Sequence, residues 1–289
     1  MDEKSDRSIY CSPLRYPGGK NCIFPFVTRL FYENGMIGTS YAEPYAGGAG
    51  LALRLLLEGY VDHIHLNDFD SSIYAFWKTV IERPDDFCDW INEVPVNVES
   101  WRHYKALQHS SNLFELAQST FYLNRTNVSG VLKGGIIGGF EQRGKYKINA
   151  RFNKADLVRR VLRVAQMKSR ITLSNLDGIA FIKNLNRKKE DVFIYLDPPY
   201  YVKGADLYMN AYKDKDHQEL SKYVRRMKKQ WMVSYDDQDF ILNLYKGERS
   251  IRYRLSQSTS NRTGDEVLIF SEAIEIEDSL HALKCPVLI

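Results

Sequence analysis

The stretch "DVFIYLDPPYY", Asp191 to Tyr201, decides the fold. Its apolar and aromatic run, Val192 to Leu196, is typical of a strand buried on both faces of a parallel sheet. The two prolines that follow Asp197 have no N–H to give to a ladder, so the strand must end there. Asp197 is therefore predicted at the carboxyl end of a buried strand, which is where ligands bind in open α/β sheets.

Strand–loop–helix units on both sides of this stretch predict a parallel α/β sheet. Strands are predicted just before the loop "EPYAGGAG" and in "DHIHLNDFD", "RITLSNLD", "WMVSYDD" and "EVLIFS". Helices are predicted in "IFPFVTRLFYENG", closed by Gly35, from Leu51 to Glu58, in "SSIYAFWKTVIERP", ended by Pro84, and in "GIAFIKNL" and "HQELSKYVRRMKKQ".

Between these units the pattern changes, which predicts an inserted subdomain. Residues 85–165 combine helical stretches with a glycine-dense basic stretch, "SGVLKGGIIGGFEQRGKYKINARF". The predicted division is 1–84 for the cofactor-binding part of the α/β domain, 85–165 for a mostly helical recognition insertion, and 166–289 for the catalytic part. From Arg125 to Arg170 the chain has twelve Lys or Arg and two acids, whereas its overall net charge is +4. A basic segment on an otherwise acidic body indicates a polyanion partner, or else a solvated basic face.

Composition excludes several classes of protein. With 289 residues, 44% hydrophobic and 26% charged, the chain is typical of a folded globular protein. No apolar run approaches the roughly 18 residues of a membrane span, and the charged N-terminus lacks an apolar signal core, so we expect a cytoplasmic protein. The 4 cysteines and 6 histidines show no ligand spacing, so no metal site is expected.

The loop "EPYAGGAG", Glu43 to Gly50, brings backbone close to a ligand between a strand and a helix. It matches neither the P-loop pattern nor a clean dinucleotide fingerprint. An acid such as Glu43 would repel a pyrophosphate and attract an ammonium group.

Asp68 ends the second predicted strand about twenty residues later, where a Rossmann-like unit places the carboxylate that accepts ribose hydroxyls. Taken alone, Asp68 is as well explained as the N-cap of the helix that follows. Glu43 and Asp68 together suit a ligand with an amine at one end and a ribose at the other, as in S-adenosylmethionine. In "RYPGGK", Lys20 could bind the carboxylate of such a ligand, or be a surface lysine beside a turn.

The opening stretch suits methylation of the exocyclic amine of adenine. That amine is a poor nucleophile, because its lone pair is delocalised into the ring, and it needs acceptors for its hydrogens. Asp197 offers one acceptor and the carbonyl of Pro198 a second. Tyr200 offers a face on which an extruded base can stack. The sulfonium donor is already activated, so no metal is required.

In order along nearly the whole chain, the motifs resemble those of the DNA adenine methylase (Dam, or D12) family, in its α group. They are "RYPGGK", "AEPYAGGAG", "LNDFD", "FYLNRTNVSG", "YLDPPYY" and "TGDEVLIF". The resemblance implies a Rossmann-like sheet, S-adenosylmethionine as donor and N6-methyladenine in DNA as product.

Carried over by position, the resemblance implies a set of site residues. The catalytic candidates are Asp197, Pro198 and Tyr200. The cofactor-binding candidates are Tyr16, Gly18, Gly19, Lys20, Glu43, Pro44, Gly47, Gly48, Asp68, Phe69, Asp177 and Asp197. The DNA-binding candidates are Asn124, Arg125, Asn127, Lys133, Arg143, Lys145 and Lys147. The segment "GVLKGGIIGGF" departs from GATC-specific members, which leaves the recognised sequence open.

Three hypotheses remain at this point. The first is an adenine-N6 methyltransferase acting on double-stranded DNA, with no obligate protein partner indicated. The second is the same chemistry on RNA or on cytosine N4, although cytosine enzymes usually carry serine in place of Asp197. The third is a non-catalytic DNA-binding relative, which predicts loss of Asp197, Asp68 or the glycines, all of which are present.

Overall fold

The strand predicted from the opening stretch lies in the middle of an eight-stranded mixed sheet. The computed structural model describes residues 11–15, 20–202, 212–256 and 263–289. Its strands are β1 Ser40–Glu43, β2 His63–Asn67, β3 Ile171–Ser174, β4 Val192–Leu196, β5 Trp231–Asp236, β6 Arg249–Ser256, β7 Thr263–Phe270 and β8 Val287–Leu288. The order is β3-β2-β1-β4-β5-β7-β6-β8. The first five are parallel, which confirms the predicted α/β class, and the last three are antiparallel.

The antiparallel end of the sheet contains two strands that we did not predict, β6 and β8. In β6 the buried Ile251 and Tyr253 alternate with the half-buried Arg252 and the exposed Arg254. That alternation is typical of a strand with one solvated face rather than of a continuous apolar run. β8 has only two residues, Val287 and Leu288, and is too short to produce a sequence pattern.

The five helices predicted outside the insertion are present in the predicted order, with shifted ends, whereas the last helix was not predicted. The helices are α1 Phe24–Glu33, α2 Gly50–Leu57, α3 Ser71–Glu82, α4 Pro84–Glu93, α5 Val98–Ala106, α6 Leu113–Thr126, α7 Lys154–Ala165, α8 Gly178–Arg187, α9 Asp214–Val224 and α10 Asp239–Leu244. The helix predicted in "HQELSKYVRRMKKQ" begins earlier and ends at Val224, before a turn leads into β5. Within the described part of the chain, no helix is both long and apolar enough to cross a bilayer.

Alternate residues of β1, β4, β5 and β7 enter two hydrophobic cores, one on each face of the sheet. In β4, Phe193 and Tyr195 join the core that includes α1, α2 and α3. Val192, Ile194 and Leu196 join the core under α8, α9 and α10. Both faces are therefore covered, as the apolar run required, and the carboxyl ends of the parallel strands form one edge of the sheet.

The insertion shares the first of these cores and does not form one of its own. Its residues 85–165 are all described, and they contain helices and an isolated bridge between Asn127 and Ile136 but no strand of the sheet. Phe121 of α6 stacks on Phe76 of α3 with ring centroids 5.8 Å apart. The predicted division of the chain at 84 and 165 remains a proposal about function.

Candidate active site

The glycine-rich loop between β1 and α2 presents its backbone at the carboxyl edge of the sheet. Gly47 and Ala49 have left-handed conformations, with φ of 45° and 46°. The Gly47 N–H donates to the Asp68 carboxylate at 2.7 Å, and the Gly47 carbonyl accepts from the Trp77 indole at 2.8 Å. Pro44 and Gly48 are buried. The loop is therefore held from both sides in one shape.

Asn67, the last residue of β2, fixes this loop relative to β3. Its amide nitrogen donates to the carbonyls of Pro44 and Leu176, each at 2.9 Å. Its amide oxygen accepts from the N–H of Leu176 at 2.9 Å. Sequence reasoning missed this residue, although its place beside Asp68 at a strand end was a usable signal.

Glu43 is buried at the end of β1, with 6% of its surface exposed. Its Oε1 accepts from the Tyr41 hydroxyl at 3.0 Å and from the Ala52 N–H at 3.2 Å. Burial raises the pKa of Glu43 to about 8 in spite of these hydrogen bonds. A nearby cation would stabilise the ionised form of such a buried carboxyl, which fits the predicted contact to an ammonium group.

Asp68 follows β2 and faces the loop. One oxygen accepts from the Gly47 N–H at 2.7 Å and the other from the Asp70 N–H at 2.9 Å. Burial raises the pKa of Asp68 to about 7, against the opposing effect of these two bonds. Each oxygen keeps a second lone pair, so the carboxylate can accept two neighbouring hydroxyls. The N-cap of α3 is Asp70, which accepts from the Ser72 N–H at 2.8 Å, so the alternative role of Asp68 as that cap was wrong.

Phe69 and Asp177 lie next to Asp68 on the loops after β2 and β3. The Asn175 amide donates to the carbonyls of Asp68 at 2.7 Å and Phe69 at 3.1 Å, which joins the two loops. The Phe69 ring is 59% exposed beside Asp68, so one of its faces is open to a planar base. Asp177 caps α8 through the N–H groups of two following residues. These loops therefore fit a nucleoside, because they offer a carboxylate that can accept hydrogen bonds from hydroxyls and an open aromatic face for a base.

Asp197 lies where the sequence predicted it, directly after β4. Because β4 pairs in parallel with β1, Asp197 and Glu43 end adjacent strands. The Asp197 Oδ1 accepts from the Ser234 hydroxyl at 2.7 Å, and the carboxylate is 22% exposed. Burial raises the pKa of Asp197, whereas Lys20 and Ser234 act in the opposite direction. Pro198 is buried behind it.

Lys20 lies inside the site, with its ammonium 3.1 Å from Asp197 Oδ1 and 3.4 Å from Glu266 Oε2. The side chain is 3% exposed, so the alternative of a surface lysine beside a turn was wrong. Burial would lower the pKa of Lys20, but the two carboxylates raise it well above its ordinary value. Lys20 is therefore a buried cation bound to the predicted catalytic acid. Its predicted contact with a ligand carboxylate stays a prediction.

Tyr200 is only 5% exposed and is held by its hydroxyl. That hydroxyl donates to Glu266 Oε1 at 2.5 Å and accepts from the Lys20 ammonium. The ammonium also lies over the Tyr200 ring, 4.7 Å from its centroid. The ring is thus fixed beside Asp197, and its predicted role as a stacking face stays a prediction.

Two further side chains of β5, which sequence reasoning missed, shape the turn. Asp236 accepts from the N–H groups of Tyr201 at 2.9 Å and Val202 at 3.0 Å. Ser234 joins Asp197 to the Tyr195 hydroxyl, which lies 2.8 Å from the Ser234 oxygen. The polar residues of "WMVSYDD" within an otherwise apolar strand were the available signal.

Three of the predicted DNA-binding residues, Asn124, Arg125 and Asn127, lie inside the protein. Contact with DNA requires exposed side chains, whereas these are 2%, 7% and 0% exposed. Asn124 accepts from the Arg15 N–H at 2.8 Å and donates to the Arg15 carbonyl at 2.6 Å. Arg125 donates to the Pro13 carbonyl, and burial lowers its pKa to about 9. We call these contacts the N-terminal clamp, formed by Asn124 and Arg125 around Pro13–Arg15, because they fix the segment that leads to Lys20.

The other four candidates, Lys133, Arg143, Lys145 and Lys147, are exposed on the loop between α6 and α7. The same loop exposes Phe140 and Tyr146, at 56% and 57%. Arg143 pairs with Glu141 at 2.8 Å and Lys147 with the Gln142 carbonyl. This surface combines cations with aromatic rings, as nucleic-acid interfaces do. Tyr16, Gly18 and Gly19 lie outside the described residues.

Comparison with known proteins identifies the family of this chain. Residues 16–259 match the family model of the D12 class N6 adenine-specific DNA methyltransferases. The Type II methyltransferase M.CviBI of Paramecium bursaria Chlorella virus NC1A is 24% identical, over 79% of this chain and 86% of its own.

Similar solved structures include a candidate RNA methyltransferase from Pyrococcus horikoshii, with a TM-score of 0.42, 10% identity, and coverage of 90% of this chain and 87% of that one. TrmN from Thermus thermophilus has a TM-score of 0.39, 9% identity, and coverage of 86% and 48%. Because the matched segment, residues 16–259, spans most of the chain and includes Lys20 and the Asp197 motif, the chain belongs to the D12 class N6 adenine-specific DNA methyltransferase family.

Proposed function

We propose that this protein transfers a methyl group from S-adenosylmethionine to the N6 amine of an adenine extruded from double-stranded DNA. The observation that carries the proposal is the position of Asp197. A carboxylate ends a buried strand, is oriented by Ser234 and Lys20, and is still 22% exposed toward the edge of the sheet. Family membership supports the same chemistry.

For the cofactor, we assign the loops at the ends of β1, β2 and β3. Glu43 suits the amino group, Asp68 the ribose hydroxyls, and Phe69 with Asp177 the base. When bound, S-adenosylmethionine supplies a methyl group on a sulfonium, which is already an activated leaving group. The chain's residues must therefore bind and orient the reactants and take no part in activating the donor.

At the acceptor, Asp197 receives a hydrogen bond from the adenine amine, and the carbonyl of Pro198 receives the other amine hydrogen. The two acceptors draw the nitrogen toward tetrahedral geometry, which directs its lone pair at the methyl carbon. Once methylated, the amine would release one proton, which the Asp197 carboxylate, already its hydrogen-bond acceptor in this arrangement, would take up and pass to solvent. Tyr200, fixed through its hydroxyl, presents the ring that steadies the base.

The test uses S-adenosylmethionine with a labelled methyl group and unmethylated genomic DNA, followed by digestion to nucleosides. We expect N6-methyldeoxyadenosine from the natural protein and at least a 100-fold loss with Asp197→Ala, because the acceptor is removed. Asp197→Ala should bind the cofactor about as well as the natural protein. Label in RNA alone would favour an RNA substrate, label at cytosine N4 would favour the cytosine reaction, and no transfer to any nucleic acid would leave only a binding role.

A further inference from the structure

Glu266 of β7 is a buried carboxylate that the proposed reaction does not use. It is 3% exposed and lies on the antiparallel part of the sheet, next to β5. A carboxylate removed from water is costly unless charged or hydrogen-bonding groups surround it, so its partners indicate what it does.

Within the described residues, the side chains that contact Glu266 belong to the active site or border it. Its Oε1 accepts from the Tyr200 hydroxyl at 2.5 Å. Its Oε2 accepts from the Tyr253 hydroxyl at 2.9 Å and lies 3.4 Å from the Lys20 ammonium. Glu266 thus joins the predicted stacking ring and the cation that touches Asp197.

We propose that Glu266 is a positioning residue for methyl transfer: it holds Lys20 and Tyr200 in place beside Asp197. The inference rests on the proposed function. Glu266 does not contact Asp197 directly; it acts through Lys20 and through the ring of Tyr200.

The charges of this cluster explain why a second carboxylate is useful. The single ammonium of Lys20 lies between Asp197 and Glu266, so Asp197 does not have to neutralise it alone. The Asp197 Oδ1 already accepts from Lys20 and Ser234, which directs Oδ2 to the substrate amine. If Glu266 were neutral, the ammonium would be drawn fully to Asp197 and would compete with the amine for it.

The same arrangement sets a pH dependence. Burial raises the pKa of Asp197, and Glu266 adds to that rise while Lys20 opposes it. The other ionisable groups that interact with Asp197 are Glu43 and Tyr41 on β1, Tyr195 on β4 and Tyr235 on β5. Since Asp197 must be ionised to accept the amine, activity falls as pH drops through its pKa. Removing the charge of Glu266 lowers that pKa, so the acid limb of the kcat profile should move to lower pH.

Two variants separate the effect of the Glu266 charge from the effect of the position of its carboxylate. Glu266→Gln keeps the shape and removes the charge, whereas Glu266→Asp keeps the charge and withdraws it by one methylene. Glu272→Gln changes an exposed glutamate just after β7 and serves as the control. For each protein, kcat and KM for DNA, the Kd of S-adenosylmethionine and the pH profile of kcat are measured, with a thermal melt.

We expect Glu266→Gln to lower kcat on the order of 10- to 100-fold, because a small misplacement of reacting groups has that effect. Cofactor Kd should stay within about twofold, since Glu266 lies outside the loops assigned to it, and the acid limb should move to lower pH. Glu266→Asp should have a lower kcat than the natural protein, but the acid limb of its kcat profile should stay at the same pH.

Natural kcat in either variant would overturn the inference, as would equal losses of kcat and cofactor affinity with an unmoved acid limb. If Glu266→Gln does not fold, Glu266→Asp decides by the same comparison of kcat with cofactor Kd. A natural protein that transfers no methyl group to DNA would instead overturn the proposed function, and this inference with it.

Discussion

At the scale of single residues, the proposed contact of Asp68 with the cofactor makes cofactor binding sensitive to pH. Its pKa is raised to about 7 by burial, and only the ionised form offers both oxygens as acceptors to ribose hydroxyls. We therefore expect the affinity for S-adenosylmethionine to rise with pH through about 7 and to level off above it. Calorimetric titration between pH 5.5 and 8.5, a range centred on about 7, measures this.

Asp68→Asn should remove most of that pH dependence and weaken binding at neutral pH by about tenfold, for the loss of a charge-assisted pair of hydrogen bonds. Methyl transfer at saturating cofactor should change less than the Kd. If Asp68→Asn altered DNA affinity and left the cofactor Kd unchanged, the assignment of Asp68 to the ribose would be incorrect.

Residue patterns predicted some of the site and missed other parts of it, for a physical reason. Asp197 and Asp68 were found because each follows an apolar strand, which is a local signal. The contact of Lys20 with Glu266 joins residues from opposite ends of the chain, and no sequence pattern near either residue predicts it. Arg125 was misplaced because charge is visible in a sequence and burial is not.

At the scale of elements, the N-terminal clamp and the exposed loop between α6 and α7 should respond differently to substitution. Asn124→Ala removes three hydrogen bonds, including both to Arg15, and leaves buried backbone groups unpaired. We expect a loss of about 1–3 kcal/mol in the free energy of unfolding. Urea titration measures it, with the exposed Asn149→Ala as control. The salt dependence of DNA binding should stay as in the natural protein.

The loop should show the opposite behaviour. Lys145 and Lys147 are exposed, so replacing both with Gln should leave stability within about 0.5 kcal/mol. If each contacts a phosphate, the slope of log K against log salt should become less steep by nearly one for each lysine. Fluorescence anisotropy with a labelled duplex at several salt concentrations measures the slope. An unaltered slope would place the phosphate contacts elsewhere on the protein.

Element types were predicted better than element ends or edges. The five parallel strands and their helices follow from apolar periodicity. β6 was missed because its arginines interrupt the apolar pattern on the solvated side, and β8 because two residues carry no period. Both belong to the antiparallel edge, where tertiary pairing rather than local sequence forms the strand.

At the scale of the whole molecule, the insertion and the sheet should unfold together. Phe121 of α6 and Phe76 of α3 belong to one continuous core, so neither part buries its apolar surface alone. We expect a single cooperative transition, with coincident midpoints for far-ultraviolet circular dichroism and tryptophan fluorescence.

Phe121→Ala should lower the free energy of unfolding by about 3–5 kcal/mol. The common midpoint should fall accordingly, and the transition should stay single. Two separated transitions in the natural protein would show that residues 85–165 fold as an independent unit, contrary to the shared core.

The cluster of Lys20, Asp197 and Glu266 also has a consequence for how the enzyme is made. Its members are drawn from the first, third and last quarters of the chain, and β7 reaches the site only by pairing with β5. During synthesis the ribosome must therefore translate past Glu266 before the ion cluster can close. A nascent chain, or one cut short by a premature stop codon, has the cofactor loops but lacks the assembled acceptor site. Translation past Glu266 therefore determines when the proposed methyl transfer can begin.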